Sequence, residues 1–282
     1  MFAALWATAS VATKFGLRSA HPLVLANTRF LLAGVLVLLF ALLSQHGQKF
    51  WPDRTEWRQL LPFAALNTTI YLGAFGYAMT EVSAGIGSLS TATNPLFILL
   101  LSAVWLRRRL RLTEITGVLL GLGGVVLATY PLLRDAQASL SGLLVLLGAM
   151  IAVSAATVYY ASVTWKLSAT AINGWQVLVG GLLLLPFTVW LGRPEATHWD
   201  GRFWASVLWL VLPVSVAALQ LWFWLVRQDA VKAAAWLYLC PLFGFLYAFL
   251  LLGEPVTGYT YAGTAAVIGG LYLAQREKRK AS

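Results

Sequence analysis

Apolar residues fill this chain in about ten blocks separated by short charged or turn-rich stretches. They are Phe2 to Leu17, Leu23 to Leu43, Leu60 to Thr80, Ala84 to Leu106, Ile115 to Leu133, Leu140 to Trp165, Ala171 to Leu191, Phe203 to Val226, Ala233 to Leu252 and Val256 to Ala274. Most exceed the roughly 20 residues that a helix needs to cross about 30 Å of hydrocarbon. None shows the period-two alternation of a closed barrel. The pattern predicts an all-α integral membrane protein with ten transmembrane helices. The first block stands apart, because Lys14 interrupts it after about a dozen apolar residues. No basic residue precedes that block and no small-residue cleavage site ahead of a soluble domain follows it, which argues against a signal peptide. A shortened or misassigned start to the first helix is the expectation instead.

The first half of the pattern recurs in the second. Arg29-Phe30-Leu31-Leu32-Ala33-Gly34-Val35-Leu36 falls on Gln176-Val177-Leu178-Val179-Gly180-Gly181-Leu182-Leu183. Asn94-Pro95-Leu96-Phe97 falls on Cys240-Pro241-Leu242-Phe243 about 146 positions later, Gly117 on Gly263, Gly124 on Gly270 and Leu127-Ala128 on Leu273-Ala274. Leu, Ala and Gly match one another often in membrane sequences, and the paired prolines are what lift the alignment above chance. The expected organisation is one repeat over 1–135, a second over 136–275 and a basic cytoplasmic tail over 276–282. Five spans per repeat is an odd number, so the two copies are expected to be inverted relative to one another.

Composition agrees: 60% hydrophobic, 11% charged and a mean hydropathy of +0.76 are values for a membrane protein, not a soluble domain. The net charge of +10 would suggest nucleic acid in a soluble protein. Here it has another use. With the N-terminus in the cytoplasm, Lys49, Arg54, Arg58, Arg107, Arg108, Arg109, Arg111, Lys166, Arg227, Lys232, Arg276, Lys278, Arg279 and Lys280 all fall inside. Only Lys14, Arg18, Arg134, Arg193 and Arg202 fall outside, so the positive-inside rule predicts both termini cytoplasmic. The Arg107 to Arg111 cluster and the tail are expected to touch anionic lipid headgroups, with no nucleic-acid partner. One cysteine, Cys240, excludes an internal disulfide and any cysteine-based metal cluster, and His21, His46 and His198 fall in loops on different sides, which leaves no metal site.

On the paired Asn94-Pro95-Leu96-Phe97 and Cys240-Pro241-Leu242-Phe243 segments, the Leu252-Gly253-Glu254 end of the ninth span and the glycine-bearing fifth and tenth spans, the chain resembles the EamA family of the drug/metabolite transporter superfamily. Tyr77-Ala78-Met79 followed by Ala84, and Trp175-Gln176 opening the seventh span, are also similar to that family. The resemblance covers nearly the whole chain and implies two five-helix repeats, a bacterial inner-membrane location and export of amino acids or related metabolites, as in aromatic amino acid exporters. Two departures stand out: Arg107-Arg108-Arg109 replaces an expected acidic pair after the fourth span, and the opening span is short.

Candidate chemistry follows from helical spacing. Gly87, Thr91 and Asn94 share one face of the fourth span, and Trp236, Cys240, Phe243 and Tyr247 share one of the ninth. Asn67 and Tyr71, Ser154 and Thr157, and Gln220 and Trp224 are candidates to complete a substrate lining, with Tyr238 beside them. Trp222, Trp224, Trp236 and Tyr238 lie deep enough to meet an aromatic or cationic solute, whereas Trp51, Trp57, Trp199, Trp204 and Tyr261 read as interfacial anchors. Aromatic stripes serve packing or lipid contact more often than ligands. Pro95 and Pro241 within spans would free the carbonyls of Thr91 and Leu237 and act as hinges, or else as packing kinks. Arg29 and its counterpart Gln176 are gating candidates; Arg29 either snorkels to the outer headgroups or meets a substrate carboxylate. Glu254 is the candidate for ion coupling, against a plain helix-end charge before Pro255, with Glu81 the other outer acid and Asp229 an inner one. Gly117, Gly121 and Gly124 read as close helix packing.

Clustered acids, a phosphate loop and a nucleophile with its base are all missing from the spans, so an enzyme and a bound cofactor are disfavoured. The expected function is a secondary transporter moving a small metabolite, an aromatic or other neutral amino acid, outward by alternating access. Transport of quaternary ammonium or hydrophobic cations is the alternative, and a non-transporting scaffold or receptor the alternative of another class. The expected partners are a small-molecule substrate and membrane lipids, and the expected state is a monomer or weak dimer.

Overall fold

The computed structural model describes residues 1–44, 49–105, 111–134, 138–228 and 236–275. His46, Arg107, Arg108, Arg109, Asp229, Lys232 and the basic tail lie outside the described residues, as does the side chain of Tyr238. The described residues are 86% helical and contain no strand. In order, the helices are α1 (Phe2–Gly16), α2 (Pro22–Ser44), α3 (Arg54–Ala64), α4 (Tyr71–Glu81), α5 (Ala84–Thr91), α6 (Asn94–Trp105) and α7 (Leu112–Arg134). Then follow α8 (Leu140–Ser162), α9 (Ala169–Leu191), α10 (Gly201–Trp209), α11 (Leu219–Gln228), α12 (Cys240–Leu252) and α13 (Gly258–Gln275). Five continuous or nearly continuous helical stretches are long and apolar enough to span a bilayer: Pro22–Leu43, Ala84–Trp105, Leu140–Ser162, Ala169–Leu191 and Gly201–Val226. Shorter apolar helices, including Leu112–Ala128 and Cys240–Leu252, stand beside them. The outer faces of α2 and α9 leave Val35, Leu39, Phe40, Phe187, Val189 and Trp190 exposed, as a hydrocarbon solvent requires.

Local irregularities occur in pairs. A π-helical stretch, Ala65–Ile70, joins α3 to α4, and another, Leu210–Ala218, joins α10 to α11. Both helices that lead into them begin on an aspartate cap. The Asp53 side chain accepts from Thr55 and Glu56 amides, and Asp200 accepts from the Phe203 amide at 2.8 Å. Lys49 beside Asp53 holds that carboxyl down to about 2, and the Phe203 N–H holds Asp200 below its ordinary value. A helix is broken directly before Asn94-Pro95, and a short 3₁₀ turn, Trp236–Leu239, gives way to α12 directly before Cys240-Pro241. Each proline therefore sits in the first turn of a fresh helix, where its missing N–H has no partner to lose. This revises the expectation of kinked continuous spans. At the first break the hydroxyls of Ser90, Thr91 and Thr93 each donate to the carbonyl three residues earlier, which occupies polar groups where the ladder is interrupted.

Pairs of helices that the sequence alignment equates lie side by side and run in opposite directions. On α7 and α13, Gly124 abuts the carbonyl of Gly263, while Gly270 abuts that of Gly117. On α2 and α9, Gly34 abuts Leu178 and Gly181 abuts Leu31. A side chain at Gly34, Gly124 or Gly270 would collide with the neighbouring helix, the packing role expected of Gly124, while one at Gly121 would meet Leu96 on α6. The interior divides into two apolar clusters. One gathers Phe30, Leu60, Phe63, Phe203 and Phe223, and the other Phe75, Met79, Ile86, Leu89, Leu96 and Met150. Trp6 and Leu72 pack against both.

Candidate functional site

Between the two clusters lies a buried cavity of about 20 Å³, walled by Trp6, Ala7, Ala9, Ser10, Arg29, Tyr71, Leu72, Phe75, Ser88, Thr91 and Val214. Five chain segments meet there: α1, α2, α4, α5 and the second π-helical stretch. Its volume admits about one water, so a solute would be admitted only when these walls part. The side chains on it combine three hydroxyls, a phenol and a guanidinium with two aromatic walls. Ser88 donates to the Ser10 hydroxyl at 3.1 Å, tying α5 to α1.

Arg29 stays inside. It is 7% exposed, and its Nε donates to the Ser215 hydroxyl at 3.0 Å, so it does not snorkel outward. Its guanidinium carbon lies 5.6 Å from the centre of the Phe30 ring. Gln176 makes the mirrored contact. Its Oε1 accepts from Thr68 at 2.5 Å and from Asn67 at 3.2 Å, and its Nε2 donates to Asn173 at 3.4 Å. Thr68 and Ser215 stand at the same spacing as Arg29 and Gln176, so the second helix of each half reaches the π-helical stretch of the other. Asn173 continues the network to the Ser215 carbonyl and to Gln220, which donates to Thr170 at 2.7 Å.

Of the expected lining, the structure brings Tyr71 and Thr91 to the cavity, with the gating candidate Arg29 beside them. Asn67, Gln176 and Gln220 brace its surroundings. Asn94 is buried beside the break with its Oδ1 unpartnered, while its carbonyl accepts from Ser154 at 3.3 Å. Thr157 spends its hydroxyl on the Val153 carbonyl in its own helix. Cys240 is fully buried at the start of α12, next to Pro241. Phe243 is half-buried and stacks on Tyr247 at 6.2 Å, away from the cavity. Two expectations need correction. Trp224 is 56% exposed and Trp236 is 49% exposed, so both face outward. On α11 the inward positions are held by Trp222, Phe223 and Val226, and Trp222 stacks on Phe2 at 5.5 Å, so no inward place remains for Trp224. Beside Trp236, Leu237 is the residue that turns inward. The residues that sequence reasoning missed are Ser10, Ser88, Thr68 and Ser215. The last two carried a signal, being hydroxyls at the same spacing as Arg29 and Gln176.

Glu254 has a role of its own. Its carboxylate accepts from the backbone amides of Ala84 at 2.7 Å and Gly85 at 3.0 Å, capping α5 from across the molecule. It is therefore more than a local helix-end charge. Glu81 binds the Ser139 and Ser141 hydroxyls, which hold its carboxyl below its ordinary value. A larger groove of about 280 Å³ lies between α1, α10 and α12, lined by Val11, Phe15, Trp209, Tyr247 and Leu251 with Arg202 on its wall. It is open and almost wholly apolar, a surface suited to acyl chains.

An all-helical membrane bundle closed around a polar centre is the build of a membrane transporter. The EamA-like transporter family model matches residues 1–130 and again 140–275, and the chain belongs to that family. It is 24% identical to an uncharacterized transporter of Archaeoglobus fulgidus over 97% of this chain and 95% of the relative. It is 26% identical to Protein PecM of Dickeya dadantii, over 96% and 89%. A solved crystal structure superposes with a TM-score of 0.71 at 19% identity, covering 100% of this chain and 96% of the other, a likeness of fold.

Proposed function

We propose that this chain is a ten-helix carrier of two inverted five-helix repeats. It moves a small metabolite, a neutral and above all aromatic amino acid, outward across the bacterial inner membrane by alternating access, with both termini cytoplasmic. The observation that carries the reading is the polar cavity at the seam of the two apolar clusters, set beside a helix break that both halves share. The paired π-helical stretches, the antiparallel packing of equated helices and the exchanged Arg29 and Gln176 contacts support the inverted arrangement. Membership in the EamA-like family supports transport of small solutes. Breaks and π-helical stretches are places where a packed helix bends at low cost, so Pro95 and Pro241 suit hinges between two access states. Glu254, holding α5 from α12, suits a latch on the outer side and is the proposed coupling group.

The test is flux in proteoliposomes loaded with labelled neutral amino acids. Vesicles containing the protein are expected to release or exchange label faster than empty ones. A panel of amino acids, polyamines and quaternary amines that gives no flux above background would overturn the carrier reading, and flux of amines alone would overturn the amino acid.

A further inference from the structure

We propose that the free face of Arg29 in the central cavity is a carboxylate seat. The solute is anchored there by an anionic carboxylate, and an amino group on the solute is dispensable. The proposal rests on the carrier reading above and names the chemistry that its site selects.

The guanidinium has five N–H donors, and the structure uses one of them, on Ser215. Its terminal nitrogens have no hydrogen-bond or carboxylate partner among the described residues, and the cavity wall contains no Asp or Glu. Asp53 and Glu56 are engaged by Lys49 at the start of α3, and neither is on the cavity wall. A permanent charge buried at this depth without a counter-ion is costly, and residues of this kind in membrane spans mark solute or ion pathways. The planar fork matches a carboxylate with two parallel hydrogen bonds. Packing alone does not require the charge, because Gln176 makes the equivalent crossing to Thr68 with a neutral amide. The remaining wall fits the rest of such a solute. Ser10, Ser88 and Tyr71 offer hydroxyls, and Trp6, Leu72, Phe75 and Val214 offer an apolar bed. What the cavity lacks is an anion for an ammonium group. A solute amine meets only neutral oxygens there, whereas a solute carboxylate meets a full positive charge.

The experiment compares matched probes on the full chain purified in detergent, with binding read by calorimetry and thermal shift. The probes are tryptophan, its deaminated acid indole-3-propionate and its decarboxylated amine tryptamine, together with the same three forms of phenylalanine and leucine. For at least one side chain, wild type is expected to bind the amino acid and the deaminated acid within about threefold, and the amine about tenfold or more weakly. Arg29→Gln, which copies the residue of the other half, is expected to weaken both acids by about tenfold to a hundredfold while its ligand-free melting temperature holds. Arg29→Lys is expected to recover part of that loss and guards against a folding defect in the first variant. Amino acid flux that is unchanged in Arg29→Gln would overturn the seat and leave the carrier standing. Binding of the deaminated acids alone would support the seat and remove the amino acid from the carrier reading. Binding of amines alone, or of no carboxylate in the panel, would overturn the seat.

Discussion

Two crossings join the halves of this molecule at its centre, and they differ by one charge. Gln176 reaches the first π-helical stretch and is sealed in by Asn67, Thr68 and Asn173, with no exposure to solvent. Arg29 reaches the second through a single bond to Ser215 and keeps its other donors on the cavity. Both solve the same structural problem, which is to occupy polar atoms where π-helical geometry replaces the regular ladder. The amide solves it completely. The guanidinium solves it and leaves a surplus, and that surplus is where solute chemistry has a foothold. One crossing is thus structural, and the other is structural and functional at once.

The sharpest way to break this comparison is to remove the sealed crossing. Gln176→Leu strands the donors of Asn67 and Thr68 and one acceptor of Asn173 in a place without water. The expected loss is about 2 to 3 kcal/mol, within the range for unsatisfied buried groups and tempered by the partners that polar side chains find inside membranes. Unfolding by titrated sodium dodecyl sulfate in mixed micelles reads it directly. Arg29→Gln, measured alongside, is expected to lose much less stability and much more ligand affinity. If the two variants lose equal stability, the division between a structural and a functional crossing is wrong.

Glu254 provides a contact across the molecule at the start of α5, and it comes second in size. Replacing it by Ala removes a charged acceptor from two amides at the start of α5, for an expected cost of about 1 kcal/mol, the usual worth of a helix cap. The position that the alignment equates with it is Arg108, a residue of opposite charge. The same unfolding titration applies, and a variant as stable as wild type would mean that the latch is not closed in the membrane.

Much of the fold was legible in the residues because hydrocarbon imposes so narrow a rule. Blocks at Leu23 to Leu43 and Ala171 to Leu191 became α2 and α9 with their ends nearly unmoved. The π-helical stretches were not legible, since a change of hydrogen-bond register leaves hydropathy untouched. At the site, the pairing of Arg29 with Gln176 and of Thr68 with Ser215 could be read by aligning the two halves, but which hydroxyl each long side chain would meet could not, because a tertiary contact leaves no trace in local spacing. Helical periodicity put Thr91 and Tyr71 on faces that do meet the cavity. The same periodicity is silent on which side of a helix faces the bundle when both sides are apolar, and this is why Trp224 and Trp236, expected inward, turn out to face outward.

Those two tryptophans give the smallest expected effect and the control for the whole comparison. An exposed ring on a membrane helix exchanges lipid for lipid when it is truncated, so there is no net apolar transfer to lose. Trp224→Ala and Trp236→Ala are each expected to change solute affinity by less than about twofold and stability by less than about 0.5 kcal/mol, the range for surface substitutions. Trp51→Ala, at a ring 68% exposed, should behave the same way. Trp6→Ala is the contrast, since that ring walls the cavity and packs on both apolar clusters. A loss of binding in Trp236→Ala that matched Trp6→Ala would put the ninth span's aromatic face on the solute path. It would also shift the chemistry from the guanidinium to the rings, and so cancel the asymmetry between the two crossings.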